Sequence, residues 1–313
     1  MFVGGGTPTY LPAQDLAGVV RLVGEVLPLA AEAEITVEAN PETVDAEYFT
    51  VLRGAGVNRV SMGAQSFAPH VLTTLGRWHA RDRPLRAVAD ARAAGIGNVS
   101  LDLIYGTPGE TDADWEHTLQ VALEVGTDHL SAYALTVEPN TEYAALIRSG
   151  TLLAPDDDVQ AHRMAVTDNV MTSSGFHRYE LSNWARPGCE CRHNLTYWRS
   201  GDWLGVGAGA HGHWQGRRWW SVRAPARYAE AALAGGSTTS GEEHLTPQQR
   251  RTERLLLGLR LAEGVERSAV EPVAQHQIDR LVAEGLLVAG ERLRLTAAGW
   301  ALANDVTLRV LGS

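Results

Sequence analysis

From the first residues to about position 137, short apolar runs alternate with longer stretches in which apolar side chains recur every three or four positions. The runs at 35–39, 59–65, 98–105 and 129–137 have strand character, being short and bounded by turn-forming residues. The periodic stretches at 12–29, 44–55, 69–75, 83–94 and 112–125 have the spacing of helices with one buried face. Strands separated by helices of this length predict βα units and a parallel sheet. Right-handed crossovers curl such units into a barrel or an open doubly wound sheet.

At the start, Phe2-Val3 reads as the tail of a buried strand that breaks at once into Gly4-Gly5-Gly6-Thr7-Pro8-Thr9. Consecutive glycines allow a sharp turn and let a ligand approach the main chain with no Cβ in the way. The amides of such a turn can cradle a carboxylate, amine or phosphate. A tight strand-to-helix connection without a ligand uses the same residues, and the motif alone does not separate the two.

The later strands add weight to a ligand site. Near their C-terminal ends lie Glu38 and Asn40, Gln65, Asp102 and Tyr105, and Thr136. In barrels and open parallel sheets alike, ligands sit at that end. Asn40 and Thr111 are expected to cap the helices that follow them. Glu38, Gln65 and Asp102 fall inside strand patterns, where a buried carboxylate needs a partner or a ligand. One shared polar pocket accounts for all three.

Residues 141–175 carry two more helical patterns around Pro155-Asp156-Asp157-Asp158, and 176–183 reads as a strand. The segments 186–198 and 205–212 are dense in Gly, His and aromatic residues and read as loops that build a pocket. His193 and His211 suit a flat aromatic or metal-containing ligand, or else a hydrogen-bonded surface loop. The Gly/Ser/Thr-rich stretch 235–243 is expected to be a linker. Beyond it lie helical patterns at 247–262, 267–276 and 277–284, a hairpin turning at Gly290-Glu291, and a last helix at 297–311. This is a winged-helix pattern, and its mixed charges favour a structural or docking role over DNA binding.

Composition narrows the class. With 44% hydrophobic and 20% charged residues, the chain is ordinary for a globular enzyme. A net charge of −10 argues against a general nucleic-acid surface. No apolar run approaches the roughly 18–20 residues needed to cross a bilayer, so an integral membrane protein is not expected. With no signal peptide in view, a cytoplasmic location is expected. The 2 cysteines, Cys189 and Cys191, have a spacing that suits neither an unstrained disulfide nor a complete metal site.

Read together, the motifs are specific. They are GGGTPT, then Val37-Glu38-Ala39-Asn40-Pro41-Glu42, Arg59 to Phe67, Leu75-Gly76-Arg77-Trp78-His79, Asp102 to Thr111, and His193-Asn194-Leu195-Thr196-Tyr197-Trp198. In order and spacing the chain resembles the radical SAM family of oxygen-independent coproporphyrinogen III oxidase-like proteins, in particular its heme-chaperone (HemW) branch. The resemblance implies a partial (β/α) barrel of the radical SAM type, followed by a small α+β, winged-helix-like C-terminal domain. Its expected divisions are a barrel over 1–140, an extension with the heme-binding-type segment over 141–235, and the C-terminal domain over 236–313. It implies S-adenosylmethionine (SAM) contacts at Gly5, Gly6, Thr7, Glu38, Gln65, Arg77, Asp102 and Thr136. A carboxylate such as Glu38 or Asp102 would offset the SAM amine and sulfonium, and Arg77 would take its carboxylate. It implies heme contacts at His193, Asn194, Tyr197 and Trp198, with His193 as candidate iron ligand. The function implied is binding heme and delivering it to acceptor proteins, those of the respiratory chain among them. The alternative is oxidative decarboxylation of coproporphyrinogen III.

One departure stands out. The family holds a [4Fe–4S] cluster on a C-x3-C-x2-C loop after its first barrel strand, and no such motif occurs here. Met1 stands where the second strand of the family barrel should already be running. The expectation is an N-terminal truncation that has lost the first βα unit, and a chain without thiolate ligands for the cluster.

Overall fold

The computed structural model describes residues 1–77 and 82–312. They form two compact units, Met1–Glu190 and Cys191 onward. No helix among the described residues is long and apolar enough to cross a membrane.

The first unit is built on a seven-stranded sheet. Its strands are β1 (Phe2–Val3), β2 (Thr36–Ala39), β3 (Arg59–Gln65), β4 (Asn98–Tyr105), β5 (His129–Ala134), β6 (His177–Glu180) and β7 (Asn183–Ala185), ordered β1-β2-β3-β4-β5-β7-β6. Strands β1 to β5 are parallel, and β7 pairs antiparallel with both β5 and β6. Between them run α1 (Ala13–Val26), α2 (Ala46–Gly54), α3 (Pro69–Thr74), α4 (Arg83–Ala93), α5 (Asp112–Glu124), α6 (Glu142–Arg148) and α7 (Asp157–Ser173). Strand order that follows chain order, with crossovers of one hand, puts the helices on one side of the sheet, as in a barrel wall. A doubly wound sheet would reverse direction part-way, and this one does not. Of the two architectures open to the sequence, the barrel type is the one formed.

The two faces of the sheet differ in chemistry. Side chains alternate along a strand, and Val37, Val60, Met62, Val99, Leu101, Leu103, Leu130 and Ala132 join one buried core with Leu16, Phe49, Leu52, Val88, Trp115, Leu119 and Met171 of the helices. Each such large side chain contributes roughly 1.5–3 kcal/mol on burial. The alternate positions are polar: Thr36 and Glu38, Arg59 and Ser61, Ser100 and Asp102, His129 and Ser131. Ser100 Oγ lies 2.8 Å from His129 Nδ1, and His129 Nε2 lies 2.8 Å from the Tyr179 hydroxyl. Burial lowers the His129 pKa well below the usual imidazole value.

Caps follow the sequence. The Asn40 side chain accepts from the Glu42 amide, and Thr111 forms a capping box with Asp114. The stretch read as one strand at 176–183 is instead two short strands, since β6 ends at Glu180 and β7 starts at Asn183.

The second unit contains α8 (Arg192–Trp198), an antiparallel sheet of β8 (His211–Trp214), β9 (Arg217–Ser221) and β10 (Thr239–His244), and α9 (Pro225–Leu233) between β9 and β10. Then come α10 (Pro247–Gly258), β11 (Val265–Glu266), α11 (Gln275–Ala283), β12 (Leu287–Ala289), β13 (Arg292–Leu295), α12 (Ala297–Ala301) and α13 (Ala303–Leu311). The hairpin turning at Gly290-Glu291 forms as expected, and β11 completes a sheet ordered β11-β13-β12.

Four local expectations are corrected here. Residues 192–198 are helix rather than loop, with His193 and Tyr197 meeting one turn apart. The expected linker at 235–243 runs into β10, whose mostly exposed residues carry no alternating apolar signal. Residues 267–274 make only a 3-10 turn at Arg267–Ala269, and helix begins again at Gln275, since Pro272 stops a helix between them. The last helix is broken at Leu302.

Candidate functional site

An open cleft of about 600 Å³ lies at the C-terminal ends of β2, β3 and β4 and beside the turn after β1. Gly6, Thr7, Glu38, Gln65, Arg77 and Asp102 line it, together with Tyr10, Asn40, Ser61 and Gly63. Residues spread over a hundred positions thus meet because four successive strands end at one level. Gly5 borders this group through its amide, which donates to Glu38 Oε2 at 3.1 Å. Thr136, two residues past β5, is exposed and does not line the cleft. Trp78 and His79, the end of the Leu75–His79 motif, lie outside the described residues.

The floor is acidic. Asp102 accepts hydrogen bonds from Ser61 Oγ at 3.1 and 3.2 Å. Burial pushes its carboxyl above the ordinary value, against the lowering effects of the Ser131 and Ser61 hydroxyls and of Arg59. Burial also raises Glu38, opposed by the Gly5 amide, and the nearby Asp102 charge raises it further. Two carboxyls raised chiefly by burial would be favoured in their charged form by a cationic ligand in the cleft.

Gln65 ends β3 with φ of +64°, in the left-handed region that side chains rarely adopt. The β3–β4 register shifts between Gly63 and Gln65, a bulge at the strand end. A Cβ on Gly63 would lie 2.6 Å from Gln65 Nε2. The glycine therefore makes room for the Gln65 side chain to fold back over the strand at the cleft. Strain of this kind collects at ligand sites. Ser61 and Gly63 were not singled out from sequence, although they alternate with Gln65 along β3 and so share its face.

In the second unit, α8 carries His193, Asn194, Tyr197 and Trp198. The His193 and Tyr197 rings meet edge-on at 4.7 Å, Tyr197 meets Trp203 at 4.5 Å, and Trp203 meets His213 at 4.9 Å. Arg260 lies 5.6 Å over the Trp198 ring. Asn194 is half-buried on the same helix. Trp203 and His213 were not among the residues singled out from sequence; they enter the ring series through a strand bridge between them.

Among the described residues, no group of three or more His, Cys, Asp or Glu side chains is placed to hold a metal. Cys191 is buried, and burial raises the half-buried Cys189 thiol. Raised, buried thiols are poor metal ligands and nucleophiles.

Residues 1–122 match the radical SAM superfamily, and residues 245–302 match the HemN C-terminal domain. The chain is 45% identical over its whole length to the heme chaperone HemW of Mycobacterium tuberculosis, covering 80% of that protein. The chain belongs to the HemW family of radical SAM proteins. It is also 35% identical over its whole length to the heme chaperone HemW of Bacillus subtilis, covering 85% of it. Its fold is that of the radical SAM enzyme coproporphyrinogen III oxidase (HemN) from Escherichia coli, with a TM-score of 0.82 at 23% identity over 99% of this chain and 77% of that one. Membership implies SAM and a [4Fe–4S] cluster at the level of the superfamily. The acidic cleft has the donor set for a cationic ligand, whereas the 2 cysteines of the sequence do not fit a cluster.

Proposed function

We propose that this HemW-family protein binds heme and delivers it to acceptor proteins, and that its cleft takes SAM. The observation that carries the heme reading is the 45% identity to a named heme chaperone along the entire chain. The ring series starting at His193 supports it, because imidazole is a natural iron ligand and aromatic faces pack on a porphyrin. In this reading His193 reaches the iron, Tyr197 and Trp198 pack against the macrocycle, and Asn194 holds its edge. Delivery to acceptors of the respiratory chain, in the cytoplasm, belongs to the same reading.

For SAM, Gly5, Gly6 and Thr7 would present main-chain groups to the amine, with Glu38 and Asp102 offsetting positive charge and Arg77 taking the carboxylate. Gln65 would position the ligand from the strand end. SAM supplies a sulfonium and, in radical SAM enzymes, a source of radicals when a cluster donates the electron. With no set of thiolates for a cluster, this chain is proposed to carry no oxidase activity.

The test is a hemin titration of the intact chain. A Soret shift that His193→Ala weakens is expected, and a wild-type spectrum with unchanged affinity in that variant would remove His193 from the site. Anaerobic reconstitution with iron and sulfide should yield no stable [4Fe–4S] cluster, and the chain should not consume coproporphyrinogen III.

A further inference from the structure

His213 is the last ring of the series that starts at His193, and its two nitrogens have very different surroundings. The side chain is nine-tenths buried. Nδ1 lies 2.8 Å from the Gly201 carbonyl oxygen and 3.4 Å from Asp202 Oδ1. Both groups only accept, so the hydrogen-bond network assigns the proton of the neutral ring to Nδ1. Nε2 then holds a lone pair, and it is buried with no hydrogen-bond partner. Leaving a buried acceptor unmade costs free energy. Asp202 is itself held in place, since its Oδ1 accepts the Gln215 amide at 2.8 Å.

This is the arrangement of a metal-bound histidine without its metal. Such residues donate one ring N–H to a carbonyl or carboxylate, which fixes the tautomer and raises the basicity of the other nitrogen. The Trp203 ring, tilted 37° to the His213 ring, covers it. Trp203 is half-exposed and its indole N–H is held by the His211 carbonyl at 3.0 Å, so the cover is a surface ring rather than a core one.

We propose that His213 Nε2 is an axial ligand to the iron of heme bound by the second unit, with Trp203 as the ring displaced on binding. The assignment rests on the heme-binding reading above and adds to it a ligand outside the His193–Trp198 segment. Gly201 and Asp202 act as positioning groups that hold the proton of the neutral ring on Nδ1 and aim Nε2.

The test uses ferric hemin and the intact chain, read by the Soret band and by electron paramagnetic resonance of the ferric complex. His213→Asn keeps a donor for the Gly201 carbonyl but has no iron-binding imidazole. It should bind hemin about tenfold or more weakly, with a changed coordination signature, while its melting temperature stays near wild type. Asp202→Ala should weaken binding by about tenfold without touching the iron ligand, and Trp203→Ala should speed the Soret rise. Free imidazole added to His213→Gly should restore the wild-type spectrum. If wild type takes up hemin and His213→Asn matches it in affinity and spectrum, the His213 assignment is overturned and the chaperone reading stands. If wild type takes up no hemin, the chaperone reading falls and this assignment with it.

Discussion

The Gly5 amide donates to Glu38 Oε2 at 3.1 Å, so the turn after β1 is fastened to the end of β2 by one of the cleft's own carboxylates. The approach leaves no room beside it. A Cβ on Gly4 would lie 2.6 Å from Glu38 Oε2 and 2.6 Å from the Phe2 ring. Gly4→Ala is therefore expected to push Glu38 aside and weaken SAM binding by about tenfold or more, the equivalent of roughly 1.4 kcal/mol. Titration calorimetry of SAM into both proteins checks this, and equal affinities would show that the Glu38 position is irrelevant to the ligand.

The raised carboxyls give the cleft a pH dependence of defined sign. A carboxyl whose folded-state pKa lies above its unfolded value contributes stability below its ordinary range and loses it as pH rises through the raised value. Asp102 and Glu38 are both of this kind. The ligand-free protein should thus gain stability from these groups as pH falls through their raised values, while a cationic ligand binds better as they ionise. Asp102→Asn removes the penalty and should raise the stability of the ligand-free protein at neutral pH, at the expense of SAM affinity. Melting temperature followed from about pH 4 to 8 reads this directly; parallel curves for wild type and variant would mean that Asp102 does not titrate in that window.

Gln65 offers a trade between stability and binding. Its left-handed backbone at φ +64° costs roughly 1–2 kcal/mol, and glycine would relieve that while losing roughly 0.5–1 kcal/mol in chain entropy. Gln65→Gly is expected to be slightly more stable in urea and weaker for SAM. Gln65→Ala keeps the strain and loses the side chain, so it should gain nothing in stability. A glycine variant less stable than the alanine variant would remove strain from the account.

A buried ion pair braces the loop after β4. Arg163 of α7 pairs with Glu110 through its guanidinium and also donates to the Glu110 carbonyl, and Glu110 Oε2 accepts the Gly106 amide at 2.8 Å. Arg163→Met leaves an uncompensated buried carboxylate and should destabilise the first unit by about 3–5 kcal/mol. The double variant with Glu110→Gln should recover a good part of that loss in urea unfolding. Additive losses would mean that the two residues act separately.

The barrel half was legible because both of its signals are local. Period-two strands with apolar Val60, Met62, Val99 and Leu101, and helices with Leu16 or Leu119 on one face, each announce themselves within a few residues. The cleft was legible for the same reason: Glu38, Gln65 and Asp102 interrupt apolar runs at the strand ends. Ser61 and Gly63 escaped because a small polar residue within a strand carries no mark of what faces it. The second unit was read less well. Its β10 is nearly all exposed and polar, so no hydrophobic pattern exists to find. On its α8, His193 and Tyr197 meet one turn apart, but Tyr197 meets Trp203 across the loop that follows, which spacing alone does not reveal. His213 gave no sign at all, since its buried nitrogen is defined by the Gly201 carbonyl and not by its sequence neighbours.

The sequential strand order has a kinetic consequence. In β1 to β5, every pairing joins strands that are neighbours in the chain, so no pairing closes a loop longer than a single helical crossover. The wall can grow one strand at a time from the N-terminal side. The cleft, however, draws its floor from Asp102, and therefore does not exist until β4 has docked. SAM added to a refolding chain should leave the early growth steps untouched and act as a latch only from that strand onward.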